Sequence, residues 1–150
     1  MQYDGQILLA DDDPDYAILV QEALHQAGLY NHIEVVHNGL EAVEYLKGET
    51  AYPPDCDPQS RTALAILDLR LPVKHGFDVL RWIRCQPKYQ NLPVVMLSGS
   101  GFEAEERTAY ELGATAYEVK PAQFQHLLNL AERLRDRFLM VNTNLACANP

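Results

Sequence analysis

The chain has 150 residues, of which 47% are hydrophobic, and a formal net charge of −9 at pH 7. This length predicts one domain with its own core, since two cores would need more residues. The acidic balance argues against nucleic-acid binding, which needs clustered Lys and Arg to displace counterions. Because the apolar runs are shorter than the roughly 20 residues of a membrane span, and no signal-like leader follows Met1, we expect a cytoplasmic protein.

The first predicted unit begins with an aliphatic run at residues 7–10 that ends in Asp11, Asp12 and Asp13. Such a run predicts a buried strand. Pro14 suits the first position of a helix with Asp13 as its N-cap, and apolar residues at helical spacing continue to Gly28. This segment therefore predicts a strand, an acidic loop and a helix.

A second unit follows in residues 33–48. Residues 33–36 are rich in β-branched side chains, and Asn38 with Glu41 forms a capping pair for a helix that we expect to end at Gly48. From residue 49 to 62 the chain contains several prolines and shows no hydrophobic periodicity, which predicts a long surface loop.

The central stretch is residues 63–72, in which five aliphatic residues lead directly to Asp68. This pattern predicts a buried parallel strand that brings a carboxylate to its C-terminal end. Alone, Asp68 would fit a helix cap or a solvated strand end, but the first strand ends in acids in the same way. An amphipathic helix follows from Gly76 and ends before Pro87.

Two further strands end in polar side chains. Residues 92–97 predict a buried strand followed by Ser98, and residues 115–119 predict the last strand, followed by Lys120. A helix follows each, and the apolar spacing of the last one, through residues 124–141, predicts a helix longer than one domain requires. Five strand–helix units predict an α/β fold, a doubly wound five-stranded parallel sheet with helices on both faces.

Right-handed connections would bring these strand ends to one edge of the sheet, where α/β proteins bind ligands. The side chains collected there would be Asp11, Asp12, Asp68, Ser98 and Lys120. Three crowded carboxylates repel one another unless a cation intervenes, and Mg²⁺ suits an all-oxygen site. A carboxylate that is left free can attack phosphorus, with Lys120 and Ser98 stabilising the transferred group.

This arrangement resembles the receiver domain of two-component response regulators over residues 7–137. The matching pieces are Asp11–Asp12, Asp68 with Leu71–Pro72 and Gly76 after it, Ser98, and Lys120–Pro121. The resemblance implies a flavodoxin-like (βα)5 fold. It also implies a single receiver domain over residues 1–150, with its core at residues 6–137.

The resemblance further implies the chemistry of the site. Asp68 would accept a phosphoryl group from the phosphohistidine of a sensor histidine kinase, so the protein would be a phosphoacceptor rather than an enzyme. The ligands of Mg²⁺ would be Asp11, Asp12, Asp68 and the backbone carbonyl of Arg70. The Arg70 side chain lies where family members tune the access of water to the acyl phosphate.

The remaining roles concern switching. Lys120 would pair with the phosphoryl oxygens, and its bond to Pro121 would be cis. Ser98 would move to bond the phosphoryl group, and Tyr117 would rotate inward behind it. The alternative for Tyr117 is a surface aromatic on an edge strand.

Within the family, the long insertion, the Ser98–Gly99–Ser100 segment and the long last helix resemble stand-alone regulators paired with bacterial phytochromes. Because the chain ends at Pro150, we expect no DNA-binding or enzymatic output domain, and output through protein contacts. Surplus apolar residues in the last helix predict a homodimer. These residues are Leu130, Phe138, Leu139, Met140 and Val141.

Two alternatives stay open at this point. A haloacid-dehalogenase-type phosphatase also uses an Asp nucleophile, a second acid, a hydroxyl and a Lys on a parallel sheet, but it needs another acidic pair after the Lys. Beyond Lys120 the chain offers only Glu132 and Asp136, on a helix. A receiver-like module that never takes phosphate would have no physical reason to keep a repulsive acidic cluster.

Overall fold

The computed structural model describes residues 5–50 and 61–140 as alternating strands and helices. The strands are β1 (Gln6–Ala10), β2 (Ile33–Val36), β3 (Thr62–Asp68), β4 (Val94–Ser98) and β5 (Ala116–Val119). The helices are α1 (Pro14–Gln26), α2 (Gly39–Thr50), α3 (Gly76–Cys85), α4 (Glu103–Glu111) and α5 (Phe124–Leu134). A 3-10 turn (Pro87–Tyr89) follows α3, and a π-helical segment (Arg135–Met140) continues α5.

The sheet has the strand order β2-β1-β3-β4-β5, and every neighbouring pair is parallel. β2 lies on one side of β1, whereas β3, β4 and β5 follow in order on the other side. The carboxyl ends of β1 and β3 therefore lie side by side at the point where the strand order reverses, which is where open α/β sheets bind ligands. The predicted doubly wound parallel sheet is confirmed.

The central strands are apolar on both sides because helices cover both faces of the sheet. Alternate residues of β1 point to opposite faces, so Ile7 and Leu9 pack with α1 and α5, whereas Leu8 and Ala10 pack with α2 and α3. These four side chains are fully buried. This two-sided burial accounts for the uninterrupted aliphatic runs in the sequence.

The predicted helix starts are confirmed. Asp13 caps α1 by accepting hydrogen bonds from the backbone N–H groups of Asp15 and Tyr16, at 3.0 and 3.4 Å. Asn38 accepts the N–H of Glu41 at 2.8 Å at the start of α2.

The predicted end of α2 at Gly48 is wrong, because the helix continues to Thr50. The carboxylate of Glu49 in this last turn accepts hydrogen bonds from the Thr62 N–H and the Tyr89 hydroxyl, and these tertiary contacts hold the turn beyond the glycine. Residues 51–60 of the predicted loop lie outside the described residues.

The last helix packs on its own domain over most of its described length. Leu130 and Phe138 are only 3% and 7% exposed and belong to the core cluster beside α1. Their interpretation as apolar surplus for a dimer is therefore wrong. Val141 and the side chains of Leu139 and Met140 lie outside the described part of the chain. Among the described residues, no helix is both long and apolar enough to cross a membrane.

Candidate functional site

A single ammonium group joins the carboxyl ends of three strands. Lys120 Nζ, after β5, lies 3.0 Å from Asp11 Oδ2 after β1 and 2.9 Å from Asp68 Oδ2 at the end of β3. Asp11 is fully buried and Asp68 is 6% exposed. The topology thus brings together residues that are up to 109 positions apart, as the sequence predicted.

The same edge offers a set of oxygen ligands. Asp11, Asp12 and Asp68 each contribute one carboxylate oxygen, and these three atoms lie within 4.8 Å of one another. Asp12 is exposed, so the cluster opens to solvent on that side. Hard carboxylate oxygens at this spacing fit Mg²⁺, which keeps several water ligands in protein sites.

The charges in this cluster affect one another. Burial raises the pKa of Asp11, and the lowering effects of the Asp13 N–H and of Lys120 only partly offset it. Burial alone would lower the pKa of Lys120, but its bonds to Asp68 and Asp11 raise it. The site therefore holds its lysine charged and disfavours ionisation of a buried acid, so additional positive charge would stabilise it.

The loop after Asp68 folds tightly over the end of β3. The Arg70 N–H donates to Asp68 Oδ1 at 3.2 Å, which brings the Arg70 backbone to the edge of the cluster. At Gly76 a Cβ atom would lie 2.5 Å from the Asp68 carbonyl oxygen, so only glycine allows α3 to begin here. Val73, between Arg70 and Gly76, has a φ of +67°, which is a strained backbone conformation for a β-branched residue. Its side chain is 77% exposed, and the sequence did not predict this strain.

Ser98 lies at the end of β4 and is completely buried. Its hydroxyl donates to Glu105 Oε1 at 3.2 Å, and the Ser100 hydroxyl donates to the same oxygen at 2.7 Å. Arg70 Nη2 lies 2.6 Å from Glu105 Oε2. Glu105 is thus a site residue that sequence reasoning missed, since it is one of three acids in the first turn of α4 and belongs to no motif.

Tyr117 lies inward rather than on the surface. It is 7% exposed, and its hydroxyl donates to the Ser100 carbonyl at 2.8 Å. The alternative of a surface aromatic on an edge strand is therefore wrong. Its predicted rotation on phosphorylation stays a prediction.

The expected cis bond between Lys120 and Pro121 is also wrong, because no peptide bond among residues 5–50 and 61–140 is cis. The Lys120 ammonium is positioned by other contacts. Its backbone N–H donates to the Ser98 carbonyl at 2.7 Å, and its Nζ lies 4.7 Å from the centre of the Tyr16 ring. The Tyr16 hydroxyl in turn donates to the Pro121 carbonyl at 3.1 Å.

Residues 7–132 match the response regulator receiver domain family. The chain belongs to this family. The receiver domain accepts a phosphoryl group and works with histidine kinases, and the predicted response-regulator function is confirmed at this level. The match also removes the reason to consider a haloacid-dehalogenase-type phosphatase.

Individual relatives share this architecture. A crystal structure of the phosphorylated cyanobacterial phytochrome response regulator RcpA superposes with a TM-score of 0.77 at 32% identity, over 90% of this receiver and 94% of RcpA. Response regulator Rcp1 of Synechocystis sp. is 30% identical over 89% of this chain and 88% of its own. The transcriptional regulatory protein GltR of Pseudomonas aeruginosa is 35% identical over 81% of this chain, which spans only 45% of GltR.

Proposed function

We propose that Asp68 is the phosphoacceptor of this receiver and that Asp11, Asp12, Asp68 and the backbone carbonyl of Arg70 hold Mg²⁺. The observation that carries this proposal is the three-carboxylate cluster with Lys120 Nζ within 3.0 Å of Asp11 and Asp68. Mg²⁺, when bound, would supply positive charge that offsets the acids and the phosphoryl oxygens.

Asp68 is better suited to attack than its neighbours. Asp11 is completely buried, whereas Asp68, whose two oxygens likewise accept hydrogen bonds, is 6% exposed and is therefore the more accessible of the two. Asp12 is exposed on the solvent side of the cluster. Asp68 lies on the central strand β3 and contacts Lys120 directly.

The reaction transfers one phosphoryl group. An Asp68 carboxylate oxygen attacks phosphorus while the N–P bond of the kinase phosphohistidine breaks, and the bond's electron pair returns to the imidazole, which then takes a proton. Lys120 neutralises charge on the equatorial oxygens. The Ser98 hydroxyl then reaches a phosphoryl oxygen, and Tyr117 packs behind it as the switch residue.

The likeness to RcpA and Rcp1 supports a phytochrome-type photoreceptor kinase as the donor. We also propose a homodimer through the last helix, supported by the apolar sequence of Leu139, Met140 and Val141. We further propose a cytoplasmic protein whose output is a contact with protein rather than nucleic acid, because its net charge is −9.

The test is the intact mass of the protein after incubation with acetyl phosphate, with and without Mg²⁺. One Mg²⁺-dependent phosphoryl adduct is expected, and Asp68→Asn should abolish it. Asp13→Asn is the matched control, because Asn caps a helix as well as Asp and residue 13 is outside the ligand set. An adduct that persists in Asp68→Asn would overturn the assignment. No adduct on the wild-type chain would favour a phosphorylation-independent interaction module.

A further inference from the structure

One side chain on α4 engages two groups that flank the phosphoacceptor. The carboxylate of Glu105 accepts the Ser98 hydroxyl at 3.2 Å through Oε1 and the Arg70 guanidinium at 2.6 Å through Oε2. Ser100 adds a third hydrogen bond at 2.7 Å. We call Arg70, Ser98, Ser100 and Glu105 the Glu105 cluster.

The Glu105 cluster is largely shielded from solvent at Glu105 and Ser98. The Glu105 side chain is 17% exposed, and Ser98 is completely buried. Although burial raises the pKa of Glu105, the hydrogen bonds from Ser100 and Ser98 and the Arg70 charge lower it below its usual value. The three donors that converge on the Glu105 carboxylate make charge-assisted hydrogen bonds, which are stronger than neutral ones.

The Ser98 hydroxyl carries one proton and can donate one hydrogen bond. While it donates to Glu105, it cannot donate to a phosphoryl oxygen on Asp68. The Arg70 guanidinium holds the other Glu105 oxygen at 2.6 Å, and the Arg70 backbone N–H contacts Asp68 Oδ1 at 3.2 Å. Glu105 and the transferred phosphoryl group are thus alternative anionic partners for the single Ser98 proton.

We propose that Glu105 is a positioning residue that slows phosphorylation of Asp68 by holding Ser98 and Arg70 in the unphosphorylated arrangement. The inference rests on the proposed role of Asp68. Molecules in which Ser98 has left Glu105 can stabilise the phosphoryl group with the free hydroxyl and react faster, so the observed rate falls as the fraction held by Glu105 grows. Weakening the Glu105 contacts enlarges the reactive fraction.

The variant that tests this is Glu105→Gln, which keeps the shape of the side chain but removes the charge. Glu106→Gln is the matched control, because Glu106 is an exposed acid in the same first turn of α4 and carries the same charge. The measurement is the initial rate of adduct formation with acetyl phosphate and Mg²⁺, followed by intact mass. We expect Glu105→Gln to react roughly 5- to 10-fold faster, because a charge-assisted hydrogen bond is weakened to a neutral one by about 1 kcal/mol, and Glu106→Gln to match the wild type.

A second readout does not depend on phosphorylation. The Tyr117 hydroxyl donates to the Ser100 carbonyl and lies 3.4 Å from Glu105 Oε1, so the ring reports on the cluster. In unphosphorylated protein with ¹³C-labelled tyrosine, the Tyr117 NMR signals should shift in Glu105→Gln and stay in place in Glu106→Gln. Glu105→Ala, which removes the carboxylate entirely, should react at least as fast as Glu105→Gln.

Equal or slower rates in both Glu105 variants, with a normal wild-type adduct, would overturn the inference and leave the proposed function standing. Unchanged Tyr117 signals in Glu105→Gln would also count against it. If the wild-type chain formed no adduct, the proposed function itself would fail, and the inference would fail with it. The two failures are therefore distinguishable.

Discussion

The two ends of the sheet both bury carboxylates, but they do so with different partners. At the carboxyl end, Asp11 and Asp68 share the Lys120 ammonium at 3.0 and 2.9 Å. At the opposite end, Glu49 is 8% exposed and accepts hydrogen bonds from two neutral donors, the Tyr89 hydroxyl at 2.6 Å and the Thr62 N–H.

The Glu49 contacts join elements rather than gather charge. Tyr89 also lies 2.9 Å from the Leu46 carbonyl, and Lys88 Nζ donates to the backbone carbonyl of Glu49 at 2.8 Å. These bonds hold the end of α2, the start of β3 and the 3-10 turn together. Burial of a carboxylate is therefore not a mark of function by itself. What distinguishes the functional end is that several acids crowd together beside a shared cation.

The largest effect is expected for Lys120→Met. Removing the ammonium leaves Asp11 and Asp68 facing each other without compensation, and it takes away a group that would stabilise the phosphoryl oxygens. We expect phosphorylation by acetyl phosphate to slow by about 100-fold or more. The free energy of unfolding should fall by about 2–3 kcal/mol, because the buried acids lose their partner.

Mg²⁺ should restore part of the stability that Lys120→Met loses, since the cation offsets the negative charge of the same acids. Lys88→Met is the control at the other end of the sheet and should leave the phosphorylation rate unchanged. Intact mass and urea unfolding, each with and without Mg²⁺, provide the two measurements. Equal Mg²⁺ stabilisation of the wild type and Lys120→Met would contradict this view of the site.

A smaller and purely structural effect is expected for Glu49→Gln. The amide cannot accept both hydrogen bonds as strongly as a carboxylate, so the unfolding free energy should fall by about 1–3 kcal/mol. The phosphorylation rate should not change. Glu44→Gln, at an exposed position on the same helix, should alter neither quantity. A slower phosphorylation rate in Glu49→Gln, with folding intact, would show that the two ends are coupled.

Features that depend on local spacing or on strand topology could be predicted from the sequence. Asp13, Asn38 and Glu41 cap helices through contacts within a few residues, so their roles follow from local spacing. The candidate site was also predictable, because Asp11, Asp68 and the other polar residues each follow a recognisable buried strand. Parallel topology then places those strand ends at one edge without any knowledge of side-chain packing.

Glu49 and Glu105 were not predictable for the opposite reason. Glu49 meets Tyr89 across 40 positions, and Glu105 meets Arg70 across 35. Each acid lies on a helix with several others, and amphipathic spacing does not tell which one turns toward a distant donor. Phe138 was misjudged similarly, because the apolar stripe of a helix does not reveal how much of it the same chain covers.

The smallest expected effect is a loss of stability at alkaline pH from the Glu49 end of the sheet. Burial, together with the charges of Glu34 and Glu49, raises the pKa of Tyr45 to about 12 from its usual 10.0. The folded protein therefore keeps this phenol neutral after the unfolded chain has begun to lose the proton. The stabilisation is complete below pH 10 and is lost as the pH rises from 10 to 12.

Because the Tyr45 ring is only partly buried, solvent screening keeps the slope below the limit of about 1.4 kcal/mol per pH unit for one group. Tyr89 at the same end, and Lys120 and Tyr16 at the other end, contribute in the same direction, since the pKa of each is also raised. The measurement therefore compares the free energy of unfolding of the wild type and Tyr45→Phe, from urea unfolding at several pH values between 9 and 11. The variant should lose stability less steeply, and identical slopes would show that Tyr45 does not contribute to the alkaline sensitivity.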